Sequence, residues 1–175
     1  HNACGKLIVA TNEEQLAQDL PSLQQKAIQN GVTDTRILSR QDVQFLEPEV
    51  KCVGALLSPS TGVIDSHSLF LSILADTGAH GATLALQTAV DDAQINTNIQ
   101  KMCLHMEGTW IICNTVVNSA GLWAHQIASL IHKNHVWKPP KHFFAKGTYF
   151  RLEGKPPFRH LIYPVPEPGG LGVHA

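Results

Sequence analysis

The stretch TVVNSAGLWA, at residues 115–124, places a β-branched apolar run directly before a small-residue turn and the start of a helical pattern. A strand, turn and helix in this order aim backbone N–H groups and a helix N-terminus at one point, where a phosphate or a polarised ring can bind. Gly121 would permit a positive φ or a close backbone approach there. An ordinary structural turn can have the same sequence, so the stretch alone leaves both interpretations open.

The composition indicates a globular chain with a real core. The 175 residues are 43% hydrophobic and 15% charged, with a formal net charge of -1, which excludes a disordered chain. No basic cluster predicts nucleic-acid binding, and no apolar run reaches the roughly 20 residues of a membrane span. The cysteines Cys4, Cys52, Cys103 and Cys113 form no CxxC pair, so they are interpreted as buried thiols, with disulfides the less favoured alternative.

Apolar periodicity and turn residues predict an α/β chain, a mixture of helices and hairpins that could be α+β or an α/β core with an antiparallel sheet attached. The predicted strands are residues 6–10, 36–39, 53–57, 63–64, 83–90, 101–106, 109–114, 143–152, 161–165 and 171–174. The predicted helices are residues 13–30, capped by Thr11 or Asn12, 40–46, the segment from Asp65 or Ser66 to near His80, and 122–133. Pro21 is expected to split or kink the first helix.

Two further segments could carry chemistry. Lys146 and Tyr149 lie three residues apart in a predicted strand, so they share a side only if Gly147 makes a bulge. Tyr163 and His174 could face each other across a hairpin with glycines on both sides of its turn, which would pair a hydroxyl donor with a proton acceptor. In each case a purely structural role is the alternative.

The ten histidines do not predict a metal site. The sequence has no HxH or helical HxxxH pattern, and such spacing is what places two imidazoles on one metal ion. His132 and His135, three residues apart, are instead expected on a solvated helix end. We therefore predict no resident metal.

Taken together, six segments resemble the FAD-dependent oxidoreductases of the D-amino-acid-oxidase superfamily, and within it the L-2-hydroxyglutarate dehydrogenase/oxidase family. They follow the family's order over nearly the whole chain, and the last is the most diagnostic. The segments are CGKLIVAT at residues 4–11, LLSPSTGVIDSHSL at 56–69, GATLALQTAV at 81–90, VVNSAGLWA at 116–124, AKGTYFRL at 145–152 and LIYPVPEPGGLGVH at 161–174.

The resemblance implies a division into domains. Residues 1–62 are expected to be part of a substrate domain, residues 63–135 part of a Rossmann-like FAD-binding domain, and residues 136–175 strands of the antiparallel substrate-domain sheet. The family also has an N-terminal GxGxxG unit and a C-terminal flavin-contacting segment, which this sequence lacks. Both ends of the sequence stand within strand-like patterns, so we expect an internal fragment.

The resemblance also assigns cofactor contacts. The backbone of Val90 is expected to pair with the adenine edge of FAD. Ser119, Ala120 and Gly121 are expected to lie along the cofactor, with Trp123 flanking it.

On the substrate side, the resemblance makes His174 the candidate catalytic base or a substrate contact, and Tyr163 a residue that lines the pocket. Lys146 and Tyr149 are further candidates, because a dicarboxylate substrate requires cationic and hydroxyl donors. The implied reaction is oxidation of an L-2-hydroxy acid, with L-2-hydroxyglutarate and 2-oxoglutarate as the substrate and product. A base takes the hydroxyl proton while hydride passes to flavin N5.

Two alternatives remain open from the sequence. One is a related oxidase of glycine, sarcosine or a D-amino acid, and the other is a non-catalytic truncated fragment. The partners expected are a small-molecule 2-hydroxy acid and an electron acceptor of undefined kind. The resemblance implies a mitochondrial or cytoplasmic protein with peripheral membrane association as one option, its targeting segment lying outside this chain.

Overall fold

The computed structural model describes residues 1–134, 136–167 and 173–175. Two compact units are present, one formed by His1–Asp76 with Phe150–Ala175 and the other by Thr77–Tyr149. Each unit combines helical segments with a β-sheet, which confirms the predicted α/β mixture. The assignment of residues 1–62 and 136–175 to a substrate domain, and of 63–135 to a cofactor domain, stays a prediction.

The strands and helices follow the predicted pattern over most of the chain. The strands are β1 Lys6–Ala10, β2 Arg36–Ser39, β3 Gly54–Ser58, β4 Asp92–Asn96, β5 Lys101–Met106, β6 Thr109–Cys113 and β7 Leu161–Pro164. The α-helices are α1 Leu20–Gln29, α2 Arg40–Leu46, α3 Ser66–Ala79 and α4 Ala124–Ile131.

The first unit is built on a four-stranded sheet in the order β2-β3-β1-β7. Strand β3 pairs antiparallel with β1 and β2, whereas β1 pairs parallel with β7. Alternate residues of a strand point to opposite faces, so β1 contributes to two apolar clusters. Leu7 packs with Val43 of α2 on one face, and Ala10 packs with Leu20 of α1 on the other. Burial of each large side chain contributes about 1.5–3 kcal/mol.

The first predicted helix is interrupted just before Pro21, where a split or a kink was expected. Asn12 accepts a hydrogen bond from the Gln15 backbone N–H at 2.9 Å, as a capping residue does. Residues Gln15–Asp19 form a π-helical turn before α1 begins at Leu20. Pro21 has no N–H to donate and its ring crowds the preceding turn, which accounts for the wider turn at this point.

Helices α2 and α3 begin at the predicted residues. Ser39 and Asp42 form a reciprocal capping box at the start of α2. Asp65 accepts hydrogen bonds from the backbone N–H groups of His67 and Ser68, which caps α3. The apolar side of α3 was expected to be buried, but Leu69 and Ile73 are 43% and 53% exposed.

The second unit contains an antiparallel three-stranded sheet in the order β4-β5-β6. The hairpin predicted at Glu107-Gly108 is confirmed, with φ of 48° and 79° at these residues. Positive φ at both central positions is the backbone of a type I′ turn, whose twist matches that of the flanking strands.

Three predicted strands are not formed. At residues 63–64 only an isolated bridge joins Val63 to Asn2. Residues 83–90 have no strand structure, and the pairing segment is β4 at Asp92–Asn96. Gln87 has a φ of 56°, which breaks an extended run. Residues 143–152 also lack a strand, because no described strand pairs with them, and an unpaired segment leaves its backbone groups without a ladder. The predicted strand 171–174 lies partly outside the described residues.

The cysteines are free thiols, but the prediction of burial holds for only one of them. Cys103 is buried, whereas Cys4, Cys52 and Cys113 are partly exposed. Burial raises the pKa of the Cys52 thiol above its usual value, although a hydrogen bond from the Gly54 backbone and the charge of Arg40 oppose this effect. Cys52 is therefore held in its neutral form near neutral pH.

Candidate functional site

Tyr163 and His174 lie against each other in the first unit. Their ring centroids are 4.7 Å apart and the ring planes differ by 1°, the geometry of a stacked pair. Ile162 and Ala175 exchange two backbone hydrogen bonds, of 2.6 Å and 2.9 Å. The sequence suggested that a hairpin could bring these side chains together, and the structure does so, although residues 168–172 of its turn lie outside the described part of the chain.

Lys6 adds a positive charge beside this pair. Strands β1 and β7 pair in register, Lys6 with Leu161 and Ile8 with Tyr163, so Lys6 and Tyr163 lie on the same face of the sheet. The Lys6 ammonium is 5.5 Å from the centre of the Tyr163 ring, within the range of a cation–π contact. No salt bridge to Lys6 occurs among the described residues.

Sequence analysis did not identify Lys6 as a site residue. The available signal was its position in GKLIVA, where a lysine alternates with apolar residues that face the core. What the sequence did not reveal was that β7, more than 150 positions away, pairs with β1. Long-range parallel pairing leaves no local pattern in the sequence.

A cavity of about 310 Å³ opens beside Lys6, on the side of the sheet covered by α1. Its apolar lining comes from Ile8, Leu23, Ala27, Val32 and Leu56, and its polar lining from Lys6, Thr35, Ser58, Ser60 and Thr61. This volume lies at the lower end of the range for small-molecule sites. Lys6 therefore adjoins both the aromatic pair and a space that could admit a small ligand.

Glu47 anchors the chain just before β7. Its side chain is buried, and Oε1 accepts hydrogen bonds from the Arg159 N–H, the His160 N–H and His160 Nδ1 at 2.8, 2.8 and 2.7 Å. Burial raises the pKa of Glu47, but the hydrogen bonds from His160 and Arg159 outweigh it, so this pKa lies below its usual value. The carboxylate is therefore ionised at neutral pH, and the His160 Nδ1 carries the shared proton.

The turn of residues 118–121 is in the second unit. The Asn118 side chain donates to the Ala124 carbonyl at 2.7 Å and accepts from the Ala120 N–H at 3.3 Å. Gly121 has a φ of 56°, and a Cβ there would meet nothing within 4 Å. The chain then enters a 3₁₀ turn at Gly121–Trp123 and continues into α4. Asn118 thus holds the turn in shape, a role that the sequence did not assign to it.

The surface around this turn is apolar. Val117, Leu122 and Trp123 are 82%, 63% and 61% exposed, and Ser119 and Ala120 complete the turn. Together with the open space at Gly121, these exposed side chains leave the turn accessible to a ligand.

Val90 is also in the second unit, but in an extended segment rather than the predicted strand. Asp91 donates to the His105 carbonyl at 3.1 Å, so pairing with β5 begins one residue later. In the described part of the chain, no backbone hydrogen bond involves Val90. Its peptide groups are thus available to a ligand.

Lys146 and Tyr149 are not on a strand, which corrects their predicted setting. Both are exposed, Tyr149 to 81%. The Tyr149 ring instead folds towards Gly147, where an added Cβ would lie 3.3 Å from Tyr149 Cε2. The glycine therefore makes room for the ring and does not form a bulge between paired strands.

No cluster of three or more metal-ligating side chains occurs among the described residues. His132 packs edge-on against Trp137, with ring centroids 4.4 Å apart, so it is less solvated than the sequence suggested. His135 lies outside the described residues. Within the same limits, no helix is both long and apolar enough to span a bilayer.

Comparison with known proteins gives one consistent family. The profile of the DAO family, described as FAD dependent oxidoreductase, matches residues 1–175. The mitochondrial L-2-hydroxyglutarate dehydrogenase of Arabidopsis thaliana is 35% identical over 99% of this chain and 42% of its own length. The Bos taurus protein of the same name is 29% identical over 99% of this chain and 40% of its own length. The chain thus spans about two-fifths of these relatives.

Among solved structures, the dithionite-reduced L-alpha-glycerophosphate oxidase of Mycoplasma pneumoniae with FAD bound has a similar fold. The TM-score is 0.69 at 20% identity, over 97% of this chain and 45% of that one. Because the identity is low, this likeness concerns the fold alone.

Proposed function

Because the chain belongs to the FAD-dependent oxidoreductase family, we propose that the protein it forms part of oxidises an L-2-hydroxy acid, with L-2-hydroxyglutarate as substrate and 2-oxoglutarate as product. FAD is the cofactor of this family. The relatives from Arabidopsis thaliana and Bos taurus are named for this activity, and the chain aligns with them over nearly its whole length.

The observation that carries the proposal is the group formed by Lys6, Tyr163 and His174. It combines a cation on β1, a phenolic hydroxyl on β7, and an imidazole in the segment that exchanges backbone hydrogen bonds with β7. A 2-hydroxy carboxylate requires the same three functions: a positive charge for its carboxylate, a hydrogen-bond donor that orients it, and a base near its hydroxyl.

In this proposal His174 accepts the hydroxyl proton of the substrate as its C2–H bond breaks. The electron pair of that bond leaves with the hydrogen as hydride, so the alcohol becomes a ketone. Tyr163 orients the substrate, and Lys6 binds a carboxylate. Lys146 and Tyr149 remain proposed contacts to the substrate. Only the positive charge of Lys146 and the hydroxyl group of Tyr149 support this assignment.

The residues at the turn of the second unit fit the family's cofactor. Ser119, Ala120 and Gly121 would lie along FAD, Trp123 would flank it, and the unpaired backbone of Val90 would meet the adenine edge. Bound FAD would supply the two-electron acceptor. The role of this chain is to hold the cofactor and to align the substrate C–H bond with it.

The proposal extends to domain roles and location. Residues 1–62 and 136–175 would belong to the substrate domain, and residues 63–135 to the FAD-binding domain. The names of the plant and bovine relatives favour a mitochondrial protein. Peripheral membrane association is part of the same proposal, and the electron acceptor is left unspecified.

A substrate panel tests the proposal. The flavin-loaded protein is assayed with a dye acceptor against L-2-hydroxyglutarate, D-2-hydroxyglutarate, glycine, sarcosine and a D-amino acid. We expect turnover with L-2-hydroxyglutarate alone, because in this proposal His174 accepts a hydroxyl proton and Lys6 binds a carboxylate. Turnover with an amine and none with the hydroxy acid would replace this function with that of an amine oxidase.

A further inference from the structure

Strand β7 is short, and its register on β1 decides which face each of its side chains occupies. It has only four residues and ends at Pro164, which has no N–H to donate. Besides the pairing with β1, Ile162 supports this register by packing against a core cluster and by exchanging two backbone hydrogen bonds with Ala175. A shift by one residue would move every side chain of a strand to the other face of the sheet. Tyr163 would then leave the face that carries Lys6.

Glu47 fixes the chain immediately before this strand. A single carboxylate oxygen accepts three hydrogen bonds from two consecutive residues, Arg159 and His160. Glu47 is only 1% exposed, and hydrogen bonds to an ionised acceptor shielded from water are among the strongest in proteins. The contact joins the C-terminal end of α2 to the start of β7, more than 100 positions along the chain.

His160 is held on its other side by the start of β1. Gly5 has a φ of 74°, and a Cβ there would lie 2.8 Å from His160 Cδ2. The Gly5 carbonyl accepts a hydrogen bond from the Leu161 N–H at 3.1 Å. His160 therefore lies between Glu47 and the residue that leads into β1, and the three form what we call the Glu47 clamp, consisting of Gly5, Glu47 and His160.

We propose that Glu47 is a positioning residue for the Tyr163–His174 pair. Through the clamp it sets the register of β7 on β1, which keeps Tyr163 beside Lys6 and stacked on His174. The consequence for turnover rests on the proposed function, in which Tyr163 and His174 contact the substrate. The consequence for the geometry of the pair does not.

The first test reads the aromatic stack directly. In protein labelled with ¹³C-tyrosine, the Tyr163 ring resonances are identified by their absence from Tyr163→Phe. Stacking on His174 shifts these resonances upfield through the imidazole ring current. Glu47→Gln keeps the shape of the side chain and removes its charge, and Glu49→Gln makes the same change at an exposed position.

We expect Glu47→Gln to abolish more than half of the upfield shift and Glu49→Gln to leave it unchanged. His160→Leu removes only the side-chain bond and should cause a smaller loss, which His160→Asn should restore because its amide can donate from nearly the place of Nδ1. If Glu47→Gln does not fold, the two His160 variants decide the question. A full upfield shift in Glu47→Gln, or in His160→Leu, overturns the proposal.

The second test is kinetic and uses turnover per bound flavin. A misplaced Tyr163 should lower kcat/KM for L-2-hydroxyglutarate by about 10-fold to 100-fold, mainly through KM, whereas a purely structural role would lower only the amount of folded, flavin-bound protein. Unchanged kinetic constants per flavin in Glu47→Gln overturn the role in turnover. If the unmodified protein does not oxidise L-2-hydroxyglutarate, the proposed function fails, and the tyrosine spectra still decide the role of Glu47.

Discussion

At the scale of the residue, Glu47 illustrates how burial and hydrogen bonding together determine the state of a carboxyl group. Removal from water favours the protonated acid, but three donors on one oxygen favour the anion. The donors prevail, and the pKa of Glu47 is lowered. The ionised form of Glu47 is favoured only while Arg159 and His160 donate to it. Protonation of this side chain is therefore linked to the folding of the first unit.

The stability of the protein should therefore depend on Glu47 in acid. Since the folded-state pKa is below the unfolded value of about 4.3, its contribution is present above about pH 4.3 and is lost as the pH falls through the folded-state pKa. Urea unfolding of the wild type and of Glu47→Gln between about pH 7 and about pH 3 measures this. We expect Glu47→Gln to be less stable by about 1–2 kcal/mol at neutral pH and to approach the wild type in acid. Parallel curves would contradict this account.

His174 provides a prediction about chemistry. Removal of a general base typically costs about 10²–10⁴-fold in rate, so His174→Gln in the flavin-loaded protein should lower kcat by that factor with L-2-hydroxyglutarate. His67→Gln is the matched control, because His67 is exposed on α3. Stopped-flow kinetics of flavin reduction provide the measurement. Full turnover of His174→Gln would remove this residue from the mechanism.

At the scale of the element, local signals predicted well wherever the local sequence determines the structure. The bounds of β1, β2 and α2 are those predicted, since alternation and capping residues suffice to specify them. The hairpin at Glu107-Gly108 was predicted correctly for the same reason, because its turn residues are a local signal. Residues 83–90 and 143–152 were mistaken for strands because a β-branched and aromatic composition favours strand structure but does not supply a neighbouring strand to pair with.

Two glycines test the interpretation of these elements. Gly108 has a φ of 79°, so alanine there is strained, and Gly108→Ala should destabilise the protein by about 1 kcal/mol. Gly78 lies within α3 with nothing within 4 Å of an added Cβ. Gly78→Ala should thus stabilise it by about 0.5–1 kcal/mol. Thermal unfolding of both variants measures the difference, and effects of the same sign would refute the assigned turn or the assigned helix.

At the scale of the whole molecule, the sequence predicted the fold class and the family better than the site. The order of six short segments carried the resemblance, and the match over residues 1–175 agrees with it. Lys6 and Glu47 were not predicted, because each acts through a partner that only the folded chain brings near it. Asn118 was not predicted either, although its partners Ala120 and Ala124 are close in sequence. The Tyr163–His174 contact could be anticipated, since a hairpin joins residues close in sequence.

The central claim is that L-2-hydroxyglutarate reduces the flavin of this protein. The most direct measurement mixes the flavin-loaded protein with the substrate in the absence of oxygen and follows the absorbance of oxidised flavin. The account predicts complete bleaching by L-2-hydroxyglutarate, formation of an equal amount of 2-oxoglutarate, and no change with the D-enantiomer. Flavin that stays oxidised with L-2-hydroxyglutarate but is bleached by glycine, sarcosine or a D-amino acid would contradict it.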